Sequence, residues 1–475
     1  MIHSADTDAV VVGSGPNGLA AAITLAREKL RVVVLEAEAD IGGAVKTEAS
    51  TLPGFLHDAC ASVLALAPGS PFFRTLALEE HGVAWIRPEI PLVHALEPGL
   101  AVALERSVEA TAAALGVDGP AWSSSMRPLV EGWDAIAPDL LAPLHLPRHP
   151  LAMARFGWTG VRSARAFARS RFAAEPARAL FGGLGAHSFV PLDRPTTAAF
   201  GRIIGATAHT EGWPFARGGS RTVIDALAGI LRGLGGRIET SRRVRSLAEL
   251  PAARATLLDV TPRQLVAIAG PRLPSSYRRK LEAYRYGPAA YKIDYALSAP
   301  IPWSGEPCRR AGVVHLGGDL EEVGRAAREA WDGTIPERPF VLVAQPTLFD
   351  PSRAPTGRHT AWAYAHVPHA CDVDLSELVE QRIERFAPGF RSRILARSVR
   401  GPRELERRNA NLVGGDINGG AQHPAQLFAR PVSWIDPYAT PIPGLFLCSS
   451  STPPGGGVHG MCGHLAARRA LRELR

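Results

Sequence analysis

Ala9-Val10-Val11-Val12-Gly13-Ser14-Gly15-Pro16-Asn17-Gly18, followed at a short distance by Arg31-Val32-Val33-Val34-Leu35-Glu36, decides how this chain folds. Ala9–Val12 is a short apolar run of strand type. Leu19–Glu28 carries apolar residues at helical spacing with no breaker, and Arg31–Leu35 is a second strand run that ends on an acid. Strand, glycine turn, helix, strand and acid in that order form a dinucleotide-binding unit. Gly13 permits the tight turn, Gly15 lets a pyrophosphate approach the backbone, and Gly18 lets the helix pack closely on the strand. Ser14, Pro16 and Asn17 complete the loop, and the helix N-terminus offers free N–H groups and partial positive charge to phosphates. Glu36 lies 18 residues beyond Gly18, placed to accept hydrogen bonds from a ribose diol. Ala37 and Glu38 follow it instead of an arginine, which makes a 2′-phosphate unwelcome. The alternative is a glycine-rich turn with no ligand.

Composition agrees with an ordinary folded protein. The 475 residues suggest two to four domains, or one large fold with an insertion, and 46% hydrophobic with 21% charged residues argues against disorder. The net charge of +8 is almost entirely arginine, with lysine only at Lys29, Lys46, Lys280 and Lys292. That charge is spread along the chain and names no partner. The polar segment Met1–Asp8 predicts no signal peptide, and no apolar run reaches the ~18 residues of a membrane span. Five scattered cysteines without a CxxC pair support neither a zinc site nor a disulfide framework. A cytoplasmic, reduced, metal-free protein is expected.

A second glycine pair follows the ribose acid at once, in Glu36-Ala37-Glu38-Ala39-Asp40-Ile41-Gly42-Gly43. This stretch resembles that of the FAD-dependent amine oxidase and phytoene desaturase superfamily, where the pair lets the chain pass close to the pyrophosphate and ribityl chain. The resemblance therefore implies FAD, held also by Gly42, Gly43, Ala44 and Val45. The family's usual arginine after the pair is absent; Ala44 stands there, and Lys46 is the candidate replacement charge. Pro53–Asp58 and Ser70–Phe73 look like the phytoene-dehydrogenase-related branch. Gly218-Gly219-Ser220, a helical Val223–Leu234, Gly235-Gly236 and Val244 look like its middle segment, in which a strand valine holds the adenine through its backbone. Pro443–Cys448 running into Pro454-Gly455-Gly456-Gly457-Val458-His459-Gly460 resembles the last FAD motif. There a helix of about Val458–Leu471 points its N-terminus at the flavin, and Ser450, Gly457, Val458, His459 and Met461 are implied contacts. Such a dipole would stabilise negative charge on reduced flavin. The acid that many relatives carry in this loop is replaced by Ser449-Ser450-Ser451.

The implied fold is α/β, a Rossmann-like FAD-binding domain with an inserted substrate domain built on an antiparallel sheet plus helices. Residues 1–75, 215–272 and 405–475 are assigned to the first and 76–214 and 273–404 to the second. Strands are predicted at Ala289–Leu297, Gly312–Leu316, Phe340–Ala344 and Thr360–Val367, with Leu257–Val260 as the strand where the FAD domain hands over. Residues 148–180 combine Arg148, Arg155, Arg162, Arg165, Arg169, Arg171 and Arg178 with Phe156, Trp158, Val161, Phe167 and Phe172. A basic amphipathic helix there can lie on an anionic membrane; the plainer reading is a solvated helix packed on the domain. No nucleic-acid motif is present.

For the chemistry, Lys292 and His459 are the candidate catalytic residues. Alternation places Ala290, Lys292 and Asp294 on one face of their strand and Tyr291, Ile293 and Tyr295 on the other. In flavin amine oxidases a lysine on the corresponding strand holds a water against the reactive flavin nitrogen; the alternative is a solvated lysine paired with Asp294. His459 is a candidate donor to a flavin carbonyl or proton carrier, or a histidine packed beneath the loop. His57 and Asp58 are a candidate pair or a loop-fixing element. Asn411, Asp416 and Asn418 are expected beside the cofactor or the substrate. The function expected is oxidation of an apolar or partly apolar small molecule by hydride transfer to FAD, with oxygen or a quinone-like acceptor receiving the electrons. Amine oxidation, a non-redox isomerase and a silent flavin-binding protein are the rivals. Oligomeric state is left open.

Overall fold

The computed structural model describes residues 7–475, so Met1–Asp6, most of the polar N-terminal segment, lies outside the described residues. A five-stranded parallel sheet forms the nucleotide end, in the spatial order Leu445–Leu447, Ala255–Leu258, Ala9–Val12, Val32–Leu35, Arg237–Glu239. Ala9–Val12 is central and every residue is buried, which is why it reads as a continuous apolar run and not as an alternation. Helix Pro16–Arg27 joins it to Val32–Leu35, and proline in its first turn costs no hydrogen bond. The last helix, Met461–Leu474, packs against this first helix through Ala466, Ala467 and Ala470. Small side chains on both helices let the two backbones approach closely.

A seven-stranded sheet forms the second layer, in the order Ile394–Arg400, Ala289–Leu297, His359–Val367, Val341–Ala344, Ala311–Leu316, Ile90–Glu97, Leu100–Leu104. The four predicted strands are present to within a residue or so. Three strands were not anticipated. Pro91 disguises Ile90–Glu97, Leu100–Leu104 is alanine-rich, and Ile394–Arg400 is a half-exposed edge strand. The sheet is antiparallel except for one ladder, Ala311–Leu316 on Ile90–Glu97, which is parallel. On Ala289–Leu297 the predicted faces hold. Tyr291, Ile293 and Tyr295 pack under helix Ser376–Phe386, while Ala290 meets Leu405, Leu412 and Cys60 toward the nucleotide end.

The arginine-rich tract is three helices, not one: Pro150–Gly160, Ala164–Arg171 and Glu175–Ala186. Ser163 caps the second by accepting the Ala166 N–H, and Pro176 opens the third. Arg165 and Arg169 are spent on Glu321. No helix among the described residues is long and apolar enough to cross a membrane.

Candidate functional site

A cavity of about 1270 Å³ runs from the carboxyl ends of the parallel strands, past the face of the second sheet, to the helices around residues 140–161. Its nucleotide end is built as the glycine turn requires. A Cβ on Gly18 would stand 2.0 Å from the Gly13 carbonyl oxygen, so only glycine allows this helix to start here. Gly13, Ser14, Gly15, Pro16 and Asn17 line the cavity, whereas Gly18 packs behind them. Glu36 is buried at the strand end. Its carboxylate accepts the Ser14 N–H and the Glu38 N–H, each at 2.9 Å, and the Ser14 hydroxyl at 2.5 Å. Ala37, Gly43, Ala44, Val45 and Lys46 continue the wall, and Gly42 supports it by donating its N–H to the Ser14 hydroxyl.

Val244 also lines the cavity, but from irregular chain beyond strand Arg237–Glu239 and not from a strand. The preceding residues dock on the acid loop, with Arg242 N–H donating to the Glu36 carbonyl and Ser241 N–H to that of Glu38. Arg243 pairs with Glu38 at 2.7 Å. Ser450, Gly457, Val458 and His459 line the far side. Ser449 and Ser451 give their hydroxyls to the Val260 and Gly419 carbonyls.

The last helix starts at Met461, three residues later than expected. Gly457 and Gly460 have φ of 123° and 67°, so the chain turns in the left-handed region before it can become helical. Met461 does not line the cavity; its N–H is capped by Nδ1 of His459 at 3.0 Å. In neutral His459 the proton therefore sits on Nε2, which makes no well-formed hydrogen bond although the Gly455 and Gly456 carbonyls lie beside it. Burial holds the pKa of His459 down to about 4. It is neutral near pH 7, which suits a hydrogen-bond donor and not a proton carrier.

Lys292 is buried, and its ammonium is paired with Asp294, which is also held by Arg400; Arg400 in turn binds Glu48. Lys292 is absent from the cavity wall and stands behind Cys60, which lines it. It is neither in contact with the cofactor end nor solvated. His57 and Asp58 are not a pair. His57 bonds Thr51 at 2.9 Å, while Asp58 accepts from Thr47, Ser62, Ser220 N–H and Arg353 at 2.6–2.8 Å. Asn411 and Asn418 line the cavity; Asp416 lies behind it, accepting the Gly287 and Asn418 N–H groups.

Asp259 escaped the sequence reading. It follows strand Ala255–Leu258, lines the cavity, and its carboxylate accepts the Gly18 N–H at 2.9 Å. A Cβ on Gly15 would meet its Oδ2 at 3.0 Å. Burial, and secondarily the charge of Glu36, raises its pKa to about 7. An acid at the carboxyl end of a strand beside the glycine-turn strand was the available signal.

Beyond the nucleotide end the walls turn apolar and aromatic, with Phe156, Phe189, Phe200, Trp213, Trp362 and Tyr364. His187 is a polar group among them, its Nε2 3.2 Å from that of His315.

Residues 11–77 match the NAD(P)-binding Rossmann-like domain family. Superposed on putrescine oxidase bound to putrescine, the structure gives a TM-score of 0.61 at 18% identity, covering 98% of this chain and 99% of that one. The chain has the fold of putrescine oxidase. Sequence relatives include phytoene desaturase (lycopene-forming) from Pseudescherichia vulneris, 24% identical over 60% of this chain and 61% of that protein. Pyridine nucleotide-disulfide oxidoreductase domain-containing protein 2 of Mus musculus is 28% identical over 98% of this chain and 94% of its own length. These relatives and neighbours are oxidoreductases, the class that the sequence assigned to this chain.

Proposed function

We propose that this protein is an FAD-dependent oxidoreductase acting on an apolar or partly apolar small molecule. The single observation that carries the reading is one continuous cavity with a glycine-and-acid nucleotide end and an aromatic far end. The residues present fit FAD. Asn17 Oδ1, Asn411 Oδ1 and His459 Nε2 are buried polar atoms without a hydrogen-bond partner on the wall of that cavity. FAD, when bound, supplies a two-electron acceptor. The chain supplies the rest: Glu36 for the ribose, Gly13–Asn17 and Gly43–Lys46 for the pyrophosphate, and His459 as a neutral donor at the far side. Two features support an apolar substrate over an amine. Of the carboxylates on the wall, Glu36, Glu38 and Asp259 lie at the nucleotide end, and Asp139, at the far end, is already engaged by His145 and the Arg148 N–H. Trp362 and Tyr364 stack on each other along one strand at 5.8 Å, and so do not oppose one another across a gap. The test is anaerobic mixing of the FAD-loaded protein with carotenoid, polyketide-like and amine compounds. Bleaching of flavin absorbance by an apolar compound is expected; bleaching by amines alone would overturn the substrate reading.

Glu36→Ala is expected to weaken FAD binding at least about tenfold, because each charge-assisted hydrogen bond contributes about 1.5–3 kcal/mol. Titration of the apoprotein, followed by quenching of flavin fluorescence, measures this, and an unchanged Kd would place the ribose elsewhere. Asp259 gives the same titration a pH dependence. Its carboxylate stands at the helix N-terminus, where the pyrophosphate would lie, so its ionisation above about pH 7 opposes a second anion. FAD affinity is expected to fall as pH rises through that value in the wild type and to stay flat in Asp259→Asn, which keeps an acceptor for the Gly18 N–H. A parallel fall in both proteins would remove Asp259 as the cause.

A further inference from the structure

The cavity opens beside a surface that a water-soluble face does not explain. Leu146 is 90% exposed, Leu151 82% and Trp158 84%, with Leu144 and Val161 more than half exposed. Leu151 and Trp158 lie two turns apart on the outward face of helix Pro150–Gly160, and the loop carrying Leu144 and Leu146 leads into its first turn. The adjacent flank of the same helix, at Met153, Gly157 and Gly160, lines the cavity. One helix thus has one side on the chamber and one side bare.

The charge around it is one-sided. Between Asp139 and Glu175 the chain has no acidic residue, while Arg148, Arg155 and Arg162 flank the exposed apolar side chains. A two-fold contact with a second copy would set this patch against itself and bring arginine against arginine with no acid of the tract to relieve it. An anionic lipid surface suits both features: the leucines and Trp158 enter the acyl boundary and the arginines meet the phosphates.

We propose that helix Pro150–Gly160 and the loop before it dock this protein on an anionic lipid bilayer, with the cavity mouth at the membrane so that an apolar substrate enters without crossing water. The docking is separable from the function proposed above, since the route into the chamber rests on that reading and the docking itself does not. The test is flotation of the FAD-loaded protein with vesicles of equal parts phosphatidylcholine and phosphatidylglycerol, and with phosphatidylcholine alone, at low and high salt. Binding to the anionic vesicles, weakened by salt, is expected. Leu146→Ser/Leu151→Ser/Trp158→Ser should lower it at least tenfold with FAD content and melting unchanged, and Arg148→Glu/Arg155→Glu should remove the preference for phosphatidylglycerol. No flotation with anionic vesicles, flotation that the triple variant retains, or a dimer in sedimentation equilibrium that the triple variant dissolves would each overturn the proposal. Flotation reads partition and not turnover, so a protein that oxidises substrate yet ignores vesicles refutes this inference alone.

Discussion

The protein is expected to unfold cooperatively as pH falls from about 6.5 toward about 4. Burial lowers the pKa of His57, His94 and His459 from 6.5 to about 4 and that of His366 to about 3. All four are almost fully buried. The unfolded chain takes up these protons from about pH 6.5 downward, and the folded chain does not until near pH 4. Their contribution is therefore complete above pH 6.5 and is lost as pH falls through that window. Each group contributes about 1.4 kcal/mol per pH unit there, so four amount to roughly 5 kcal/mol per unit. His187 and His315 act in the same direction. Asp259, with its pKa raised to about 7, opposes them, as do Asp416 and Glu105, whose pKa values burial also raises, but these are fewer than the buried histidines. The ion-paired carboxylates Asp58 and Asp294 have lowered pKa values and add their loss only in stronger acid. Against a typical total of about 5–15 kcal/mol, one to three pH units should suffice. Denaturant unfolding followed by circular dichroism over a pH series measures the slope. A stability that stays flat across this window would show that the histidines are hydrated in solution.

Arg353→Ala is expected to cost about 3–5 kcal/mol, the range for removing one partner of a buried ion pair. Arg353 is fully buried, and its guanidinium binds Asp58 at 2.6 Å, Asp350 at 3.1 Å and the Ala216 carbonyl at 2.8 Å. Its loss would leave Asp58 ionised in the interior with neutral donors only. Asp58 belongs to the pair of short strands Thr47–Glu48 and His57–Asp58, which continues the wall begun by Gly43–Lys46. Arg353 comes from the segment between two strands of the other sheet. The pair therefore clamps the cofactor wall to the substrate layer, and FAD retention should fall together with stability. Adding Asp58→Asn should recover only part of the loss, because Asn accepts through one oxygen where Thr47, Ser62 and Ser220 N–H need two. Equilibrium unfolding of the three variants provides the check. A loss below about 1 kcal/mol for Arg353→Ala would mean that water replaces the guanidinium.

The sequence by itself determined the nucleotide end. A dinucleotide turn is local: its glycines, its strand runs and Glu36 lie within 28 residues, and each is required by backbone geometry that neighbouring residues cannot supply. The same held for the faces of Ala289–Leu297, since alternation is a property of the strand itself. The start of the last helix was misjudged because left-handed glycines at Gly457 and Gly460 override its apolar periodicity. What only the tertiary structure decided is how charge is shared over long separations. Lys292 looked like a flavin-facing cation, and alternation placed it toward the nucleotide end; Arg400, over a hundred residues away, completes a buried cluster around Asp294 that keeps it behind Cys60. Asp58 was expected to fix its loop or to pair with His57; the partner no local pattern announced is Arg353, from the segment between two strands of the other sheet. Asp259 came to the glycine turn because strand Ala255–Leu258 pairs with Ala9–Val12 across some 240 residues. Burial of a charge creates a demand for partners that no local pattern expresses, and the fold meets it from wherever the chain happens to pass.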